Sequence, residues 1–376
     1  MKTVKNIFCQ IVSFENLFLA WQNARKGKRY RDDVMEYSDR LEEKLIETQN
    51  QLIHHTYAVG RYRCFYILVP KKRLIMSLQF KDRIVQWAFY QVLNPIFDKA
   101  FIYDSYACRK GKGTHKAANR LQYWLRQTDR KPEQYYYLKL DISKFFYRID
   151  HDILVKILKR KIKDKDVIMT LERMINCEET KFGLPAGMEV DEIPFDQRLD
   201  DVGVPIGNLT SQMFANIYMN EVDQFAKHKL KIHYYIRYMD DIVILHKDKK
   251  YLAYIKNELE EFLNNELRLQ LNNKTCIRPT SSGIEFVGFR IWSTHKKLRK
   301  QTIKRMKARL KYMFASYAAG EVLYETLERT IASYKGIMQH FNSYGLRQYL
   351  NTLYKEYVGG AESGHGTIRK RSIRKT

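Results

Sequence analysis

Apolar residues recur at helical spacing through much of the chain. Ile11, Phe14, Leu17 and Phe18 share one face of an N-terminal helix. After the basic break Lys26-Gly27-Lys28-Arg29, a charged helix runs through Leu41, Leu45 and Ile46. Short strands are predicted around Tyr57 to Leu68, followed by the basic turn Pro70-Lys71-Lys72-Arg73. From Lys81 to Phe97 the positions Ile84, Val85, Ala88, Phe89, Val92 and Leu93 return to helical spacing and read as core. Further helices are predicted from Lys116 to Leu125, Ile153 to Lys163, Val167 to Ile175 and Tyr251 to Leu267. Glu178 to Gly203 is irregular and rich in Gly, Pro and Asp, and Glu285 to Trp292 reads as a strand pair with a glycine bend. From Gln301 to Tyr357 the pattern is helical, very basic at first, with Gly320 and Gly336 as breaks.

Two strand-like stretches carry carboxylates where a core would reject them. Tyr234 to Leu245 reads as a hairpin of β-branched and aromatic residues with Asp240-Asp241 at its turn. Side chains alternate along a strand, so both acids cannot face one core, and neither stays ionised there without a cation partner. Tyr135 to Phe146 is a second such stretch, in which a lone Asp141 ends an apolar run before an aromatic pair. Asp141 with Asp240 and Asp241 can hold two Mg²⁺ ions about 3.5–4 Å apart, the clamp used in phosphoryl displacement. The bland reading of an Asp-Asp turn is a solvated corner.

Two loops add possible ligand contacts. Arg109-Lys110-Gly111-Lys112-Gly113-Thr114-His115 precedes a helix and lacks the order of a P-loop. It reads either as a phosphate-holding helix entrance or as a solvated turn. In Val204 to Gln212, Gly207 allows close backbone approach to a ligand, and Thr210 or Ser211 is suited to capping the helix that follows.

Composition narrows the partner. Lys and Arg outnumber Asp and Glu 67 to 42, a formal charge of +25, in a chain of 376 residues with 27 Tyr and 19 Phe. Cations meet phosphates while rings stack on bases, so nucleic acid is the expected polyanion. Cys9, Cys64, Cys108, Cys177 and Cys276 are odd in number and form no C-x-x-C pair, which predicts neither zinc nor disulfides and fits a reducing cytoplasm. No apolar run approaches the about 18–20 residues that span a bilayer, so neither a membrane anchor nor a signal peptide is expected.

The order of these motifs, from Gly27-Lys28-Arg29 through Asp82-Arg83-Ile84-Val85-Gln86, Ser105-Tyr106-Ala107-Cys108-Arg109, Asp141, Gly207-Ser211 and Tyr238-Met239-Asp240-Asp241 to Lys274 and Gly288, resembles the reverse transcriptases, specifically the compact bacterial and phage kind related to group II intron proteins. The resemblance implies an α+β right-hand polymerase with fingers, an antiparallel-sheet palm and a helical thumb. Its parts would be N-terminal helices and fingers with the start of the palm over 1–130, palm over 131–295 with a fingers segment at 165–205, thumb over 296–358 and a basic, disordered tail over 359–376. Asp141, Asp240 and Asp241 match the metal-binding aspartates, and Ile142 supplies a backbone position beside the second metal. The metal would be two Mg²⁺ ions, with Mn²⁺ as a substitute. Phe146 matches a steric gate against a ribose 2′-OH, Lys72 and Arg73 match residues that grip the triphosphate, and Lys274 matches a lysine suited to protonating pyrophosphate. The resemblance also places Ile206, Gly207 and Gln212 at the incoming nucleotide, and Arg109, Tyr238, Met239 and Gly288 along the nucleic acid.

Relatives commonly read Gln-Gly-x-x-x-Ser-Pro where this chain has Ile206-Gly207-Asn208-Leu209-Thr210-Ser211-Gln212. That form resembles the reverse transcriptases of diversity-generating retroelements, which miscopy template adenines. This implies a template RNA and its cDNA duplex, deoxynucleotides and a basic pentameric accessory protein as partners. The rivals are an antiphage-defence reverse transcriptase, another group II-like element and a non-catalytic RNA-binding scaffold. Little chain follows the thumb for an endonuclease, integrase or RNase H module.

Overall fold

In the computed structural model, the described residues are 3–68, 72–177, 180–185, 187, 188, 192–194 and 197–358. Pro70 and Lys71 of the expected basic turn, part of the irregular stretch and the 359–376 tail lie outside them. Helices α1 (Phe8–Val12), α2 (Phe14–Ala24), α3 (Asp32–Asp39) and α4 (Leu41–Ile53) lead to strands β1 (Arg63–Ile67) and β2 (Arg73–Ser77) and the long helix α5 (Phe80–Asp98). Then come α6 (Thr114–Asp129), β3 (Tyr136–Asp141), α7 (His151–Lys161), α8 (Lys165–Ile175) and α9 (Leu209–Gln224). The hairpin β4 (Tyr234–Tyr238) and β5 (Asp241–His246), α10 (Lys249–Leu267) and β6 (Cys276–Pro279) follow. The chain closes with β7 (Ile284–Phe286), β8 (Phe289–Ile291), β9 (Lys296–Leu298), α11 (Lys300–Ala318), α12 (Tyr324–Met338) and α13 (Tyr344–Tyr357).

The chain divides into two compact units, Met1–Gly113 with Tyr136–Arg278, and Thr114–Tyr135 with Pro279–Thr376. Helix α6 and strands β7 and β8 therefore group with the C-terminal helices, whereas the division expected from the sequence put them on the N-terminal and palm sides. The basic loop beginning at Arg109 spans the joint between the units.

The first unit is built on a sheet of order β4-β5-β3-β6, with β5 antiparallel to both neighbours. Its register sets Leu138 opposite Ile244 and Leu140 opposite Ile242. These four side chains are fully buried, each worth about 1.5–3 kcal/mol in apolar burial, and they join the core that α5, α9 and α10 complete. Period-two alternation sends Lys139 and Asp141 of β3 and Asp241 and Val243 of β5 to the opposite face. The same rule that builds the core thus delivers the carboxylates outside it.

All six stripe residues predicted for α5 are buried. Other expectations are corrected. Phe18 and Ile46 are exposed, because Ala20, Trp21 and Ala24 of α2 and Thr48 and Leu52 of α4 turn inward instead. Gly336 lies inside α12, and the chain breaks after Met338. Neither Thr210 nor Ser211 caps α9: both are buried within it, and Gln86 of α5 accepts a bond from the Leu209 N–H at 3.2 Å. A side chain 123 residues away in sequence thus serves one of the orphan donors of the helix start.

In the second unit, β7, β8 and β9 form an antiparallel sheet, and α11 packs against α12 and α13. Val287 and Gly288 make the two-residue turn between β7 and β8, both with positive φ (45° and 86°), the geometry a tight hairpin favours. All five cysteines are free thiols. No helix among the described residues is long and apolar enough to cross a membrane.

Candidate active site

Asp141 and Asp241 are direct partners across β3 and β5, and Tyr238 faces Asp241 from β4. Met239 and Asp240 form the turn between β4 and β5, with Met239 in the left-handed region at φ 57°. A non-glycine residue sits there at a cost and needs its surroundings to hold it. Arg237 does so by donating from Nη1 to the Met239 carbonyl at 3.0 Å.

Arg237 is the anchor beneath the site. It lies on the helix-facing side of β4, wholly buried, and pairs with the equally buried Asp223 of α9 through Nη2–Oδ2 at 2.6 Å and Nε–Oδ1 at 2.7 Å. Its Nη2 also donates to Ser105 Oγ at 3.0 Å, and Tyr235 donates its hydroxyl to Asp223 at 2.8 Å. Residues 104–106 run alongside β4, with Arg237 N–H bonded to the Asp104 carbonyl and Tyr106 N–H to the Arg237 carbonyl, both at 3.0 Å. Burial alone pulls the guanidinium pKa down, but the charge and hydrogen bonds of Asp223 outweigh it and raise it.

The far end of β3 is held just as closely. Ile142 bridges Leu271 through bonds made by its neighbours, Ser143 N–H to the Gln270 carbonyl at 2.8 Å and Asn272 N–H to the Asp141 carbonyl at 2.7 Å. The Ile142 carbonyl stays outside that pairing. Lys274 follows two residues after Asn272, exposed, its N–H on Asn272 Oδ1 at 3.2 Å.

Phe146 is half-buried in a short 3₁₀ turn, its ring edge-on to Phe145 at 5.5 Å, and its carbonyl accepts from Val204 N–H at 2.7 Å. Two residues on, the Ile206 carbonyl accepts from Met76 N–H of β2 at 3.0 Å. Gly207 has φ +127°, and a Cβ there would lie 3.0 Å from the Met76 carbonyl oxygen, so this crossing of chains requires glycine. The segments bearing Arg73, Asp141, Phe146 and Ile206 are thereby tied to one another.

Other expected residues stand apart. Gln212 is half-buried within α9, and Lys72 lies exposed with its ammonium 4.7 Å from the Tyr66 ring. The Arg109 guanidinium is committed to Asp98 at 2.5 Å and to the carbonyls of Ile102 and Ser105, which makes it a clamp on its own loop. Gly288 belongs to the second unit.

Electrostatics mark the aspartates. Burial and the charge of Asp141 raise the Asp240 pKa against the opposing pull of Arg73 and Arg237. For Asp241, burial together with Asp240 and Asp141 overcomes Lys139 and pushes the carboxyl up to about 7. Asp241 Oδ1 is buried without a hydrogen bond, although the Lys139 ammonium lies 3.3 Å away. Among the described residues no group of three or more His, Cys, Asp or Glu side chains is arranged to hold a metal ion by itself. Adjoining hard oxygen donors with an unmet acceptor nevertheless fit Mg²⁺, which is usually held by one or two carboxylates with substrate phosphates and water completing its shell.

The raised Asp241 pKa gives stability a pH dependence. A carboxyl whose folded pKa is above its unfolded value of about 3.9 contributes stability that is full below that value and is lost as pH rises through about 7. In EDTA the melting temperature is therefore expected to fall from pH 5 to pH 8.5. Asp241→Asn should flatten that part of the curve.

A family model described as Reverse transcriptase (RNA-dependent DNA polymerase) matches residues 69–291, more than half of the chain. The chain belongs to the reverse transcriptase family. The chain is 27% identical over 245 residues to Protein YkfC of Escherichia coli (strain K12), covering 56% of this chain and 61% of that protein. It is 24% identical over 357 residues to the group II intron-encoded protein LtrA of Lactococcus lactis subsp. cremoris, covering 77% of this chain and 56% of LtrA. With a putative COX1/OXI3 intron 2 protein of Saccharomyces cerevisiae it shares 23% identity over 257 residues, 56% of this chain and 29% of that protein. The chain thus spans less than two thirds of each of these relatives.

Proposed function

We propose that this reverse transcriptase is an RNA-directed DNA polymerase that extends a primer on a template RNA with deoxynucleotides. The observation that carries the proposal is the placement of Asp141 opposite Asp241, beside the Asp240 turn, at the ends of the two central strands of the sheet in a chain of this family. In this reading the sheet is the palm, β1 and β2 belong to the fingers, and α11 to α13 form the thumb.

Divalent cations held by Asp141, Asp240, Asp241 and the Ile142 carbonyl would lower the pKa of the primer 3′-hydroxyl and offset charge on the leaving pyrophosphate. Arg73, whose charge is felt at Asp240, is suited to grip the triphosphate, with Lys72 beside it. Lys274 is suited to give a proton to the pyrophosphate oxygen. Phe146, its backbone pinned to Val204, presents a ring that excludes a ribose 2′-hydroxyl. Phe146→Ala is accordingly expected to admit ribonucleotides by a factor on the order of 10–100, about 1–3 kcal/mol of lost discrimination, read by competition between dNTP and rNTP in primer extension. Unchanged selectivity would remove Phe146 as the gate.

The finer reading is the diversity-generating type. Ile206 is half-buried against the cluster of Tyr147, Leu184 and Ile193, and an aliphatic side chain offers no hydrogen bond to a nucleotide. Ile206→Gln is expected to lower misincorporation opposite template adenine several-fold, measured by sequencing cDNA, because a polar contact discriminates by up to a few kcal/mol. Unchanged errors would remove this cause. Sequencing cDNA from the native RNA with and without a basic accessory protein separates this reading from an antiphage-defence role.

A further inference from the structure

The face that carries Asp141 and Asp241 also carries a cation of its own. Lys139 lies two residues before Asp141 on β3, so alternation puts both on one face. Its cross-strand partner is Val243, which makes Asp241 its diagonal neighbour, within reach of a long side chain. The ammonium lies 3.3 Å from each Asp241 carboxylate oxygen and donates a hydrogen bond to Oδ2. The pair is mostly shielded from water, with side-chain exposures of 15% and 20%. Two other cations act on these acids, in different ways. Arg237 is neutralised by Asp223 beneath the sheet, and Arg73 stands exposed on β2.

We propose that Lys139 is a positioning and charge-balancing residue that limits how much divalent cation the site takes up before a nucleotide arrives. This rests on the reading of Asp141, Asp240 and Asp241 as the cation-binding residues. Three aspartates less one lysine leave a formal charge of −2, which a single divalent ion neutralises. A second ion then has to come with the charge of a triphosphate. Lys139 also fixes the rotamer of Asp241, so removing it loosens a ligand while strengthening the field.

The test is Mn²⁺ binding to the full chain without nucleotide, followed by electron paramagnetic resonance, for wild type, Lys139→Met and Lys139→Arg. Lys139→Met is expected to bind Mn²⁺ more tightly by on the order of tenfold, or to take up a second ion, since one unit charge at close range is worth a kcal/mol or more against a divalent ion. Lys139→Arg should return the wild-type isotherm, which a purely structural role would not require once both variants give wild-type circular dichroism. Equal or weaker binding by a folded Lys139→Met overturns the proposal. If Lys139→Met does not fold, Lys139→Gln replaces it under the same criterion. Asp240→Ala separates the two levels: if wild-type Mn²⁺ binding survives that change, the reading of the aspartates fails, whereas a Lys139-independent isotherm with Asp240-dependent binding sinks only the role of Lys139.

Discussion

Asp141→Asn and Asp240→Asn are each expected to lower primer extension by on the order of 10³-fold while leaving the fold as stable as before or more so. The two signs have one cause. Asp240 is partly buried beside Asp141 and its pKa is raised, so at neutral pH its charge opposes folding. An amide removes that repulsion and also removes the oxygen that attracts a divalent ion. A site built for function at the expense of stability gives this opposite response, whereas a structural acid gives a loss of both. Extension rates and melting temperatures of the same preparations, compared at pH 8, decide between them. A variant that loses stability and activity together would mark these acids as structural.

The second large effect lies underneath the site. Arg237→Met should destabilise the protein by about 3–5 kcal/mol, because it leaves the Asp223 charge wholly buried and uncompensated. The double variant Arg237→Met/Asp223→Leu is expected to recover much of that loss, since an apolar pair of similar volume replaces the buried ion pair at little net cost. Activity should stay low in both, as neither restores the donor that holds the Met239 carbonyl in the turn. Urea denaturation beside primer extension measures both parts. Recovery of full activity in the double variant would show that the turn keeps its shape without Arg237.

Much of this arrangement was legible in the sequence where the signal is local. Alternation around Tyr234 to Leu245 and Tyr135 to Phe146 is strong enough to define β3, β4 and β5, and an acid at a strand end or turn announces itself by being out of place. The stripe from Ile84 to Leu93 was equally plain, because α5 is long and buried along one side. Long-range partners left no comparable trace. Asp223 sits 14 residues before Arg237 on another element, and within α9 it looks like an ordinary helical acid. Gln86 at the start of α9, and Gln270 and Asn272 at the end of β3, act through contacts that only the folded chain creates. Lys139 was hidden for a different reason: in a basic chain one more lysine carries no signal until its strand register is known.

Amphipathic faces misled where aromatic and aliphatic residues compete for one side. Phe18 has the right spacing, yet Trp21 takes the buried position in α2 and leaves the Phe18 ring tilted against it at 5.3 Å. The loop at Arg109 shows the same limit for charge. A guanidinium near glycines reads as a phosphate contact until Asp98, 11 residues earlier, claims it.

The most direct measurement is an anomalous difference map from crystals grown with Mn²⁺, an RNA-primed template and an unreactive deoxynucleoside triphosphate. Two peaks are expected against the carboxylates of Asp141 and Asp240, one of them also near the Ile142 carbonyl. A fully occupied nucleotide with manganese bound elsewhere, and none at these aspartates, would contradict the placement of the chemistry at these strand ends.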